Sequence, residues 1–287
     1  MLTKVREKSP TARIASGLQA AISGALDQDG VVILPPQDVK KTLALVRLLG
    51  YHFDTAMLDP WYNKGFGGMQ DDYQPFFLDV IRQSSDLAEH VYFWGFPEIV
   101  APFVERIPKP LELVSWLTWY YKNNPSVIRG WRSSQNACLH MSHKGAVLHP
   151  ERFLNEKQLA LKAKGKLRYM PGPTSVLDGD FDSPTDVIEQ ALLVGFVGRK
   201  EQTGHPSQKP FKVYDQLMQM SMSDGGLILD PMCGSGTVGA VAKERGFRAI
   251  LCDGSDDYTK LVENRLGVKR LSIEDEIGQL IDGSLAQ

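Results

Sequence analysis

The chain has 287 residues, 43% of them apolar and 23% charged, and a net charge of −2. That balance marks a globular chain with core enough for one or two domains, and no apolar run reaches the length of a membrane span. Three cysteines, Cys138, Cys233 and Cys252, lack any C-x-x-C spacing; they argue against disulfides and zinc and read as small buried residues.

No secretory apolar region opens the chain, so a cytoplasmic enzyme is expected. Residues 1–30, rich in Ala, Ser and Gln, match no motif and are expected to form an N-terminal extension, a helical cap or a dimer contact. From residue 31 onward helix and strand signals alternate, which predicts an α/β fold with a mostly parallel sheet covered on both faces. Residues 31–34 read as a strand, and Asp38 is placed to cap a helix running to Leu49 and stopped by Gly50. Thr55-Ala56-Met57-Leu58 is the next strand and runs into Asp59-Pro60-Trp61-Tyr62-Asn63. Alone, an Asp-Pro turn after a strand is most often structural.

Residues 73–89 read as a helix with Phe76, Phe77, Val80 and Ile81 on its apolar stripe. Strands at 91–94, 111–119 and 137–141 follow, with a helix at 98–106 between the first two. Between 145 and 203 the alternation fails, interrupted by Pro171, Pro173, Pro184 and Asp178-Gly179-Asp180. Positive charge gathers nearby in Lys144, Arg152, Lys157, Lys162, Lys164, Lys166 and Arg168, against Glu151 and Glu156. A solvated helix face is one reading, and a surface for nucleic-acid phosphates is the expected one because of where the cluster lies.

The most informative stretch is Asp230-Pro231-Met232-Cys233-Gly234-Ser235-Gly236-Thr237, after the buried-strand run Leu227-Ile228-Leu229. Gly234 and Gly236 allow positive φ and close ligand approach, and a helix from Thr237 is stopped at Gly246. With Gly239 this also satisfies the dinucleotide fingerprint, and Asp253 follows at the distance of a ribose-binding acid. A nicotinamide domain, however, needs several βα units after this turn, and only about one fits: a strand at 247–252 and a helix at 258–266. Asp230 at the strand tip would also repel a pyrophosphate. The sheet must therefore be completed by earlier strands, which makes seven, and 267–287 is expected as a helical tail carrying Ile273, Ile277, Leu280 and Ile281.

Three motifs in this order resemble the beta group of amino-group DNA methyltransferases: Asp59-Pro60-Trp61-Tyr62, His205-Pro206-Ser207-Gln208-Lys209-Pro210 and the glycine turn. The resemblance runs from about residue 31 to residue 266 and implies a Rossmann-like seven-stranded methyltransferase sheet formed by 31–144 and 204–266, with 145–203 as an inserted target-recognition region. It implies S-adenosyl-L-methionine as cofactor and DNA as substrate, and leaves open a homodimer and a cognate restriction endonuclease.

Carried over residue by residue, Asp59 and the Pro60 carbonyl would accept the amine hydrogens of a flipped adenine, and Tyr62 would stack on the base. Asp230 would face the methionine amine, the Pro231 to Thr237 turn would approach the cofactor, and Asp253 would accept from the ribose hydroxyls. Ser207, Gln208 and Lys209 would lie near the methionine moiety, with Lys209 suited to its carboxylate. His205 taken alone is a surface histidine. Trp61 replaces the usual second proline, so it either lines the base pocket with Asn63 or packs beneath the loop. Asp59 favours adenine N6, because cytosine-N4 members more often carry Ser there. An oxidoreductase, an inactive DNA-binding relative, and methylation of RNA or a protein amide are the competing readings.

Overall fold

The computed structural model describes residues 9–64, 68–121, 127–128, 131–170, 187–193 and 198–285. Its elements in chain order are α1 (Pro10–Asp29), β1 (Val31–Ile33), α2 (Val39–Leu48), β2 (Phe53–Leu58), α3 (Tyr73–Ser85), β3 (Ala88–Gly95), α4 (Pro97–Val104) and β4 (Glu112–Tyr120). The hairpin β5 (Val127–Ile128) and β6 (Trp131–Arg132) follows, then β7 (Gln135–Ser142), a 3-10 turn (Pro150–Phe153), α5 (Glu156–Ala163) and β8 (Val187–Glu189). The chain closes with α6 (Phe211–Ser221), β9 (Leu227–Asp230), α7 (Thr237–Arg245), β10 (Arg248–Leu251), α8 (Asp256–Leu266) and α9 (Glu274–Leu285).

Eight strands form one sheet in the order β1-β10-β9-β2-β3-β7-β4-β8. β7 runs against its neighbours β3 and β4, and the remaining pairings are parallel. The seven expected strands are all present, and the eighth, β8, comes from the expected insert and pairs with Thr118–Tyr120 of β4. The insert is thus stitched into the main sheet at its far edge. Its residues Pro171, Pro173, Asp178, Gly179, Asp180 and Pro184 lie outside the described residues.

Both faces of the sheet are covered, and side-chain alternation shows how. Val32, Ala56, Val91, Phe93 and Leu229 face a layer of α1, α2, α3, α4 and α9. Ile33, Met57, Tyr92, Trp94 and Ile228 face α6, α7 and α8. A strand buried on two faces reads as an unbroken apolar run, which is why β1 and β9 were legible.

The end of α3 differs from expectation. The helix expected to reach residue 89 ends at Ser85, because Ala88 and His90 pair with Phe53 and Thr55 of β2. Residues 10–29, in the expected N-terminal extension, form a helix on the body: Leu18, Ile22 and Leu26 of α1 are buried, and α1 packs on β1 and on α9.

The chain turns in opposite directions from two adjacent strands. From β9 it proceeds through α7 to β10, and from β2 through α3 to β3 on the other side. Such a switch point leaves a crevice beyond the strand tips, the usual place for a ligand in an open α/β sheet. The two tips here are Asp230 and Asp59.

Candidate active site

Asp59 follows the last residue of β2, and Tyr62 of its own loop and three side chains from other segments converge on or around its carboxylate. Lys209 Nζ donates to Oδ2 at 2.5 Å and Tyr214 O–H donates to the same oxygen at 2.7 Å. Tyr62 O–H donates to Oδ1 at 3.1 Å, while its own oxygen accepts from Lys209 Nζ at 2.6 Å and Asn136 Nδ2 at 3.3 Å. Lys209 is 2% exposed and its ammonium also sits 4.7 Å from the Trp94 ring centre. Burial pulls the Lys209 ammonium below its ordinary range while Asp59 pushes it back. Burial and Asp59 drive both phenols well up, so Tyr62 and Tyr214 stay protonated donors.

The rest of the first motif shapes the loop. Asn63 takes a left-handed φ of 50°, and its amide bridges to residue 70 by donating to the Gln70 carbonyl at 3.1 Å and accepting from the Gln70 N–H at 2.5 Å. Trp61 packs edge-on against Tyr73 and Phe77 of α3, and its carbonyl accepts from the Tyr73 hydroxyl at 2.9 Å. Its ring anchors the loop to α3. The Tyr62 ring meets Phe96 edge-on at 4.9 Å, beside the tip of β3.

Across the crevice, Gly234 and Gly236 take φ of 45° and 70°. A Cβ on Gly234 would lie 2.9 Å from His205 Nε2, and one on Gly236 2.9 Å from Val262 Cγ1. His205 is therefore not a free surface residue: its ring lies over the turn and against Tyr258 at 4.4 Å. Asp253 caps the turn, its Oδ2 accepting from Gly234 N–H and its Oδ1 from Ser255 N–H, both at 2.9 Å. Gln208 ties the preceding segment together by accepting from Thr203 and donating to the Glu201 carbonyl. Ser207 remains exposed.

Asp230 is the group that asks for a ligand. It is 3% exposed, and its Oδ1 accepts from Met232 N–H at a long 3.3 Å. Burial, reinforced by Asp59 and Asp253, pushes its carboxyl well above the usual range. A cation delivered into the crevice would restore the ionised form. S-adenosylmethionine carries an ammonium and a sulfonium, and the turn, Asp230 and Asp253 fit it. Cys233, Cys138 and Cys252 are buried packing residues, their thiols pushed up by burial.

The family model for DNA methylases of the N6 and N4 methyltransferase type matches residues 54–264, which include both crevice walls. The chain belongs to the DNA methylase family. The Type II methyltransferase M.HpaI of Haemophilus parainfluenzae is 27% identical over 240 residues, covering 78% of this chain and 71% of that protein. The structure of the M1.HpyAVI–SAM complex aligns with a TM-score of 0.60 at 17% identity, covering 83% of this chain and 100% of that one. The cytosine-N4-specific PvuII DNA methyltransferase aligns with a TM-score of 0.52 at 13% identity, covering 89% and 95%. At these identities the two structures bear on the fold.

The cations of this DNA methylase divide into two groups. Arg152 is committed to the protein: it donates to the carbonyls of Gln219 and Met222 at 3.0 and 2.7 Å and to Asp224 at 2.6 Å, closing the C-terminal end of α6. Tyr214 lies eight residues earlier on the same helix, so Arg152 is about 12 Å from the crevice along α6. Lys144 follows β7 at the same distant edge, where Ser142 pairs with His90. Arg152 is thus held by protein acceptors, while Lys144 stays exposed at the end of β7 away from the crevice. Lys157, Lys162, Lys164, Lys166 and Arg168 are exposed on and after α5, which buries none of its residues. Among the described residues no cluster of three or more His, Cys, Asp or Glu could hold a metal ion, and no helix is long and apolar enough to cross a membrane.

Sequence reasoning missed Tyr214, Asn136 and Phe96. Tyr214 had a signal, since it lies five residues after Lys209 and one turn into a helix capped by Pro210. Asn136 and Phe96 had none, because β7 reaches the site only through its antiparallel register with β3, Gly95 opposite Ala137.

Proposed function

We propose that this DNA methylase transfers a methyl group from S-adenosylmethionine to N6 of an adenine turned out of the DNA helix. The juxtaposition of Asp59 and Asp230 on adjacent strand tips at the switch point carries the reading: one carboxylate serves the acceptor amine, the other the donor's cation. The cofactor supplies an electrophilic methyl on a positively charged sulfur. An aromatic amine is a poor nucleophile because its lone pair is delocalised into the ring, so positioning and electrostatics must supply most of the catalysis. Asp59 Oδ1 and the Pro60 carbonyl accept the two amine hydrogens and turn the lone pair toward the methyl. Tyr62 and Phe96 offer ring surface to the base, whose extrusion exposes a nitrogen otherwise locked in the stack.

Asp59 supports adenine over cytosine through the motif resemblance, in which Ser more often marks the cytosine-N4 enzymes. The exposed cations at 157–168 support phosphate contact by the insert. DNA incubated with the protein and S-adenosylmethionine, then digested to nucleosides and weighed, should yield N6-methyladenine. Recovery of N4-methylcytosine alone would overturn the choice of base and keep the reaction class.

A further inference from the structure

Resting on that reading of the crevice, we propose that Lys209 and Tyr214 are positioning residues that occupy Oδ2 of Asp59 and reserve Oδ1 for the amine of the target base. A carboxylate oxygen offers two lone pairs. Oδ2 receives both the Lys209 ammonium and the Tyr214 hydroxyl, which fills it. Among the described residues Oδ1 receives the Tyr62 hydroxyl alone, which leaves one lone pair for an incoming N–H. The Tyr62 proton has no other destination, because its oxygen is already taken by Lys209 and Asn136 as donors. The network therefore distinguishes two chemically equivalent oxygens and aims one of them.

The same lysine joins the two walls of the crevice. Its backbone carbonyl accepts from Thr237 Oγ1 at 3.1 Å, and that hydroxyl in turn accepts from Arg265 at 2.8 Å. Arg265 also holds the Ser235 carbonyl at 2.9 Å, so the glycine turn is hydrogen-bonded to the backbone of the residue whose ammonium orients Asp59. Lys209 thereby takes a different part from the expected grip on the cofactor's carboxylate, which would require Nζ to leave Asp59.

Tyr214→Phe removes one hydroxyl from α6 and tests the assignment with the full chain, S-adenosylmethionine and substrate DNA. The single-turnover rate of methyl transfer is expected to fall about 10-fold, while cofactor Kd by calorimetry and DNA KM stay within about twofold of the unaltered protein. Lys209→Met should lower the rate about 100-fold with the cofactor Kd again held. An unchanged rate in Tyr214→Phe overturns the proposal, as does a Lys209→Met protein that binds cofactor weakly yet transfers normally at saturation. If Lys209→Met does not fold, Tyr214→Phe decides alone. No transfer by the unaltered chain overturns the methyltransferase reading and this inference with it.

Discussion

Lys209 Nζ lies 2.5 Å from Asp59 Oδ2, joining residues 150 positions apart in the sequence. Removing one member of a buried ion pair leaves the other uncompensated, at a cost of about 3–5 kcal/mol. Asp59→Ala should therefore lose both activity and stability, whereas Asp59→Asn keeps the shape and a hydrogen-bonding group. Asp59→Asn is expected to lower methyl transfer by at least ~100-fold while calorimetry still shows S-adenosylmethionine binding. Normal transfer by this variant would remove Asp59 from the mechanism.

Stability should fall on acidification because of a histidine pair far from the crevice. His90 Nε2 faces the Val147 carbonyl at 3.0 Å, which can only accept, so that nitrogen carries the proton. Its Nδ1 then accepts from His140 Nε2–H at 3.1 Å, a bond that needs the His90 ring neutral. Burial pushes His140 down to about 3 and lowers His90 too. Unfolded histidine takes a proton below about pH 6.5, and the folded His140 refuses it until about pH 3, so the unfolded state binds more protons in that window. The contribution is complete above about pH 6.5 and declines by about 1.4 kcal/mol per pH unit below it. Glu89, Asp54 and His149 also act on this pair. Urea unfolding from pH 7.5 to 5 should show the slope, and His140→Phe should flatten it by about one proton.

Two groups of cations should separate experimentally. Lys164→Ala and Lys166→Ala together are expected to weaken DNA binding and reduce its salt slope by about 0.9 for each phosphate no longer neutralised. Arg152→Ala should leave that slope alone and cost about 1–3 kcal/mol of stability, because the α6 carbonyls lose a charged donor. A reduced slope in Arg152→Ala would place it on the DNA surface instead.

Two glycines in helices should respond oppositely to alanine. At Gly239 of α7 a Cβ would meet Leu251 Cδ1 at 2.6 Å and Leu266 Cδ1 at 2.7 Å, and overpacking of this kind costs about 1–3 kcal/mol. At Gly17 of α1 nothing lies within 4 Å, so alanine should stabilise by about 0.5–1 kcal/mol through helix propensity. Chemical denaturation of both variants reads the signs directly.

The crevice walls could be read in advance because each is local: a strand, a tip carboxylate and a turn occupy about ten consecutive residues. Asp59 and Asp230 were visible as separate motifs, and their order with the 205–210 segment indicated that one sheet holds both. The hidden part is long-range. Asn136 reads as an ordinary strand residue, and nothing near Arg152 announces the α6 carbonyls 67 and 70 positions away. In α1, Leu18, Ile22 and Leu26 do repeat at four-residue spacing, a helix signal present in the chain but tied to no chemistry. Charge clustering along the sequence likewise says nothing about which edge of a sheet each cation reaches.

The packing of α1 against α9 brings the two ends of the described chain together, with a Cβ on Gly283 only 3.5 Å from Thr11 Oγ1. Joined there by a short linker and reopened near residue 204, the polypeptide would present the 205–210 motif and the glycine turn before Asp59, yet fold into the same crevice. Motif order is then an accident of where the ring of elements is cut, and a circularly permuted protein should transfer methyl groups as this one does.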